Sequence, residues 1–267
     1  MALDLTGKTA LITGASSGIG VEYAKAFARR GMNLVLVARR KDRLEAVAAQ
    51  IRAESSVDVL VVAQDLSTPN SAAELEAKLR STRKQVDVLI NNAGFGTNAR
   101  FVDEDRYRVR DEISLNISAL VDLTAAFLPG MIARDFGIVV NVASTASFQP
   151  VPGMAVYAAT KAFVRSFTEA VWGEIDSPNV RVFAVNPGAT QSEFFDVAGG
   201  KPSVGMAPTV DVITATMRHI DSRASKPSVV VGGRNAFMSW MAARLPAKAV
   251  IRTAGKMFLP PVTATDV

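Results

Sequence analysis

The chain has 267 residues, 49% hydrophobic and 21% charged, which suits one large globular α/β domain or two small ones and leaves no difficulty in burying a core. It contains no cysteine, which removes disulfides, thiolate nucleophiles and cysteine metal sites together, and its single histidine, His219, leaves little for a metal centre or a Ser-His triad. A net charge of +5 would suit nucleic acid or an anionic membrane, but the basic residues are scattered through helical stretches instead of alternating with aromatics in one patch. No nucleic-acid partner is expected, and the excess can serve a phosphorylated cofactor.

No charged leader precedes a long apolar run, and apolar residues never run together for the length of a membrane span, so a cytoplasmic chain is expected. Short β-branched runs start at Thr9, Leu34, Val59 and Val86, and three more cover Ile138–Ala143, Val180–Val185 and Ser228–Val231. Such nearly continuous apolar runs mark strands buried on both faces. Helical patterns fill the gaps at about Gly18–Arg30, Lys41–Ser55, Asn70–Lys84, Asp105–Arg134, Met154–Ile175 and Thr209–Ser222, where His219 reads as an ordinary helix position. The expected fold is α/β: a Rossmann-type, doubly wound, seven-stranded parallel sheet, with one domain over residues 1–232 and a helical extension over 233–267.

Candidate ligand-binding residues fall at the carboxyl ends of these strands. The first strand runs into T-G-A-S-S-G-I-G, where Gly14, Ser16, Ser17, Gly18, Ile19 and Gly20 form a tight turn whose helix directs N–H groups at a phosphate. A plain glycine-bearing turn would read alike, but its place after the first strand favours dinucleotide binding. The second strand ends at Arg39 and Arg40 with no acid beside them. A carboxylate there would bind ribose hydroxyls, whereas arginines accept a 2′-phosphate, which favours NADP(H) over NAD(H). Asp65 and Leu66 follow the third strand, with Asp65 alternatively a helix cap; Asn92, Ala93 and Gly94 in N-N-A-G follow the fourth. Ser144 ends the fifth. Tyr157 and Lys161 are four residues apart on one helix face, either an ordinary surface pair or a phenol whose pKa an ammonium lowers into the working range.

Together these motifs resemble the short-chain dehydrogenase/reductase family, in its branch of about 250 residues, over residues 5 to about 232. T-G-A-S-S-G-I-G is similar to its cofactor loop, N-N-A-G to its fourth-strand motif, and Y-A-A-T-K to its Tyr-x-x-x-Lys signature; Ser144 matches its active-site serine, Asn116 its helix asparagine, and P-G-A-T, with Pro187, Gly188 and Thr190, the segment beside the nicotinamide. The resemblance implies hydride transfer between NADP(H) and a carbonyl carbon, with Tyr157 as proton donor. Ser144 would then bond the carbonyl oxygen, Lys161 bind the nicotinamide ribose and lower the Tyr157 pKa, and Asn116 hold a relay water. It also implies a homodimer or homotetramer through the helices near 105–134 and 154–175. Ala143 stands where many members have serine.

Residues 189–208 form a long loop, with a Gly199-Gly200 hinge, that can act as a lid. Phe194, Phe195 and Met206, with Phe95, Phe148, Val151 and Met154, suggest a pocket for an apolar carbonyl or alcohol substrate of unspecified identity. In the tail, Arg244, Lys248, Arg252 and Lys256 recur every four residues among Trp240, Met241, Leu245, Val250, Ile251 and Phe258, and Pro246 divides two helices. Their apolar face packs on the domain or a sister subunit; peripheral contact with a membrane surface is the alternative. A cofactor-binding scaffold without turnover is the other functional class, against which the intact Ser144, Tyr157, Lys161 and Asn116 set speaks.

Overall fold

The computed structural model describes residues 3–200, 205–222 and 226–259. The centre of the expected lid loop, residues 201–204, and Pro260 and Pro261 of the tail lie outside the described residues. Seven strands form: β1 (Thr9–Thr13), β2 (Asn33–Ala38), β3 (Val59–Ala63), β4 (Val88–Asn91), β5 (Gly137–Val142), β6 (Val180–Asn186) and β7 (Ser228–Val230). All pair in parallel, in the order β3-β2-β1-β4-β5-β6-β7. The direction of winding reverses between β1 and β4, and a crevice opens there beyond the strands' carboxyl ends, where ligands of such sheets bind.

Alternation along each strand builds the two layers. Ala10 and Ile12 of β1 and Val88 and Ile90 of β4 join one apolar core, while Leu11 and Leu89 join the other. Helices α1 (Gly18–Arg29) and α2 (Lys41–Glu54) cover the first face, Tyr23 and Phe27 of α1 being among its largest fully buried side chains. Helices α3 (Ser71–Ser81), α4 (Arg106–Ile113), α5 (Ala119–Ala133) and α6 (Ala155–Glu174) lie on the other. α7 (Phe194–Ala198) interrupts the long loop, and α8 (Thr209–Asp221) returns to α1.

The expected helix over 105–134 is not uniform. Asp105 caps it by accepting from the Tyr107 and Arg108 amides, and a π turn at Ser114–Ser118 separates α4 from α5. Such π turns recur at functional sites. By length and composition Arg106–Ala133 would suffice to cross a membrane, yet Leu123, Leu128 and Met131 of α5 are buried in the core on the sheet. The tail makes α9 (Gly233–Ala242) and α10 (Ala247–Phe258), with Pro246 immediately before the second. His219 lies in α8, edge-on to Phe183 and bonded to the Lys226 carbonyl oxygen, and burial pulls its pKa below the usual value.

Candidate active site

Backbone geometry shapes the loop after β1. Gly14 and Gly18 hold φ values of +67° and +54°, and a Cβ on Gly20 would stand 2.2 Å from the Gly14 carbonyl oxygen. Thr13 locks this turn to the next motif: its hydroxyl donates to Ile90 O (3.2 Å) and accepts from the Asn92 and Ala93 amides (both 2.9 Å). The Asn92 amide donates to Thr13 O at 2.9 Å, and Asn91 donates to Asn141 Oδ1 at 2.9 Å. The Asn92 side chain therefore braces the loop. Gly188 packs closely after β6, where a Cβ would lie 2.6 Å from Asn235 of α9. Next to it the Thr190 hydroxyl donates to Gly188 O at 2.9 Å, and Pro187 O accepts from the Thr145 amide at 2.8 Å.

Arg39 and Arg40 part company. The Arg39 side chain is 68% exposed and, among the described residues, reaches Asp65 at 3.8 Å. Arg40 folds onto the glycine loop, donating to Ser16 Oγ (3.4 and 3.2 Å), Ser17 Oγ (2.9 Å) and Glu193 (2.8 Å). Arg43, one turn along α2, also pairs with Glu193. These two bonds hold the Glu193 carboxyl below the usual range. Asp65 accepts from the Ser67 amide (2.9 Å) and hydroxyl (2.7 Å), bonds that outweigh burial and lower its pKa, so it fastens the turn after β3. Leu66 beside it is buried in the core.

The four residues singled out as catalytic converge. Ser144, extended at the end of β5, bonds the Tyr157 phenol through its side chain. Lys161 is 5% exposed; its Nζ donates to Val142 O at 2.7 Å and lies 5.8 Å from the Tyr157 ring centroid. Asn116, in the π turn, donates to Phe95 O (2.8 Å) and Thr160 Oγ1 (3.0 Å) and accepts from the Phe95 amide (3.1 Å). A Cβ on Gly94 would meet Asn116 Oδ1 at 2.8 Å and Lys161 Nζ at 3.4 Å, so only glycine fits between them.

The expected lowering of the Tyr157 pKa by Lys161 is not what this geometry produces. Burial pushes the phenol up to about 12 against the Ser144 bond, and nearby Glu112 adds to the rise. Lys161 is itself pulled down to about 8 by burial, with Glu112 opposing. Burial disfavours the charged form of each group, and that effect sets the direction of both shifts.

Glu112 was missed in the sequence. It lies one helical turn before Asn116, is 0% exposed, and accepts from Thr97 Oγ1 at 2.9 Å, while its other oxygen has no hydrogen-bond partner. Burial, countered by the Thr97 bond, raises its pKa to about 7. Helical spacing from Asn116 was the available signal, but D-E-I-S reads as an exposed polar face. Arg43 and Glu193 were also missed, though Arg43 shares the Arg40 face of α2.

Part of the apolar set expected to line a pocket gathers around Tyr157. Val151, Met154 and Ala158 cluster with Tyr157, Phe194 and Phe258, the last contributed by α10. The Phe194 ring sits 4.9 Å from that of Tyr157 and 5.2 Å from that of Phe195. Phe95 and Phe148 instead pack beneath Arg108 and Arg165, and Met206 is exposed. Gly199, in the left-handed region at φ +80°, ends α7.

Comparison with known proteins agrees with this layout. Residues 8–200 match the family model described as short chain dehydrogenase. A short chain dehydrogenase of Pseudocercospora fijiensis is 36% identical over 194 residues, covering 71% of this chain and 62% of its own length. A very-long-chain 3-oxoacyl-CoA reductase of Anas platyrhynchos is 30% identical over 250 residues, covering 92% and 78% respectively. Among solved structures, a short-chain dehydrogenase from Sphingobium yanoikuyae in complex with NADPH superposes with a TM-score of 0.80 at 37% identity, over 89% of this chain and 93% of that one. With the family model matched over most of the chain and the sheet order and motif placement in accord, the chain belongs to the short-chain dehydrogenase family.

Proposed function

We propose that the protein is an NADP(H)-dependent oxidoreductase that interconverts a carbonyl and an alcohol on an apolar substrate. The observation that carries this reading is the convergence of Ser144, Tyr157, Lys161 and Asn116 beside a glycine-lined crevice. The crevice fits a dinucleotide: Gly14, Gly18, Gly20 and Gly94 let the chain turn and pack closely where a Cβ would strike neighbouring protein atoms, and Ser16, Ser17, Arg40 and Arg43 offer hydroxyls and cations for a 2′-phosphate. Ile19, Asp65, Leu66, Asn92 and Ala93 border the same strand ends, and Pro187, Gly188 and Thr190 flank the nicotinamide end. The NADPH complex of the Sphingobium relative supports the cofactor. When bound, the nicotinamide supplies or accepts the hydride.

The chain's own residues handle the proton. Ser144 holds the carbonyl oxygen against the Tyr157 hydroxyl, and Tyr157, protonated throughout the working range, gives its proton to the developing alkoxide, a stronger base than a phenolate. Lys161 orients the ribose, and the π turn at Asn116 offers a main-chain carbonyl for a relay water. Val151, Met154, Phe194 and Phe258 shed water around the reacting carbon. The acyl substrate of the Anas relative is one candidate class. The exposed Ile132 and Phe163, on α5 and α6, supply an apolar contact for a homodimer or homotetramer.

NADPH and NADH consumption measured against aldehydes, ketones, hydroxysteroids and 3-oxoacyl thioesters tests the reading. The expected result is kcat/KM at least about tenfold higher with NADPH, reduced to parity by Arg40→Ala. Equal turnover with both cofactors, unaltered by that substitution, would reject the cofactor assignment.

A further inference from the structure

Helix α9 is mounted inside out. Its small polar side turns inward: Ser239 is buried, and Asn235 donates to Val231 O at 2.8 Å. Its large apolar side faces solvent, with Phe237 59%, Met238 55% and Trp240 53% exposed and the Phe237 and Trp240 rings stacked at 6.2 Å. A soluble helix normally buries the aromatic side and exposes the polar one, so this orientation exposes a cost that a partner would recover.

Helix α10 is mounted the usual way and supplies charge. Val250 and Ala254 are buried and Phe258 packs towards Tyr157, while Lys248, Arg252 and Lys256 form a stripe four residues apart on the opposite, exposed side. Residues 233–259 contain five Lys or Arg (Arg234, Arg244, Lys248, Arg252 and Lys256) and no Asp or Glu, a charge equal to the +5 of the whole chain. Among the described residues none of the five pairs with a carboxylate. Arg244 instead lies over Trp240, 4.3 Å from its ring centroid.

We propose that α9 and α10 form a docking surface for an anionic lipid bilayer, with Phe237, Met238 and Trp240 entering the headgroup region and the basic stripe holding lipid phosphates. Exposed apolar side chains, and above all Trp240 with its indole N–H, favour that region, and cations on the same helices favour acidic lipids. A second copy of the chain is a poor occupant of the same patch, because two surfaces that each carry the Lys248, Arg252 and Lys256 stripe repel. Phe258 joins this surface to the Tyr157 cluster, which places the pocket beside the bilayer from which an apolar substrate would come. The surface itself stands independently of the reaction assigned above.

The test is flotation of the full chain with vesicles of phosphatidylcholine alone and of phosphatidylcholine mixed with phosphatidylglycerol, at low and high salt. The wild type should float with the anionic vesicles, far less with the neutral ones, and less as salt rises. Phe237→Ser with Trp240→Ser, and separately Lys248→Gln with Arg252→Gln and Lys256→Gln, should each weaken anionic binding at least about tenfold. All five side chains are exposed, and an unchanged cooperative thermal transition verifies that both variants fold. Absence of flotation, equal flotation with neutral vesicles, or variants that float like the wild type would overturn the proposal. So would sedimentation velocity showing a self-association that Trp240→Ser abolishes.

Discussion

Glu112→Gln keeps the size of a fully buried side chain and can still accept the Thr97 hydrogen bond, yet removes its ionisation. In the folded chain this carboxyl titrates near 7, against an ordinary 4.5. The folded state therefore holds the proton more tightly than the unfolded state. The resulting stability is fully present below 4.5 and is lost as pH rises through 7. At about 1.4 kcal/mol per pH unit, the loss amounts to roughly 3 kcal/mol between about pH 4 and pH 8. Urea unfolding of both proteins across that range measures it as a difference, in which titrations common to the two cancel. The variant should gain on the wild type by that amount as pH rises. The anion also holds up the pKa of Tyr157 and of Lys161, so the rising limb of alcohol oxidation should move to lower pH in the variant. Identical pH dependences of stability in the two proteins would refute the assignment of a buried, near-neutral carboxyl.

Three further substitutions probe the crevice. Glu193→Gln frees Arg40 and Arg43 from an exposed carboxylate, so the Kd for NADPH in a fluorescence titration should fall about fivefold with that for NADH unchanged; a rise would show that Glu193 positions these arginines instead of competing for them. Gly20→Ala sets a methyl against the Gly14 carbonyl oxygen, and cofactor affinity should vanish in the same titration while retained binding would contradict the loop geometry. Phe194→Ala removes the ring beside Tyr157 and should raise KM for apolar substrates about tenfold with a smaller effect on kcat; an unchanged KM would take Phe194 out of the pocket.

Most of the sheet was legible because its strands are buried on both faces and write themselves as unbroken β-branched runs; all seven expected strands formed. Local chemistry moved the boundaries. Arg83, at φ +54°, follows α3 where a helix to Lys84 was expected, and the π turn around Asn116 carries no distinctive residue pattern. The Tyr157, Lys161 and Ser144 convergence was readable because each residue sits at a strand end or on one helix face. What periodicity does not encode is long-range pairing. Glu193 reaches across to Arg40, and Phe258 to the Tyr157 cluster, over separations of 153 residues and about a hundred, respectively. The resemblance expected a Tyr157 pKa lowered by its neighbour, but proximity along a helix reveals nothing of burial, which decides the sign here. The tail was read as amphipathic, with its apolar side packed on the domain or a sister subunit or, alternatively, meeting a membrane surface; Val250 and Ala254 of α10 pack inward while Ile251 stays exposed, and α9 turns Phe237, Met238 and Trp240 outward.

The proposed reaction turns on the Tyr157 hydroxyl delivering its proton to the substrate oxygen. Single-turnover reduction of an accepted carbonyl compound by Tyr157→Phe, with NADPH affinity measured in parallel, tests it most directly. The rate should fall about a thousandfold, with cofactor Kd changed by no more than about twofold, since the phenylalanine ring keeps the packing against Phe194 and loses only the hydroxyl facing Ser144. Near-normal turnover by the variant would contradict it.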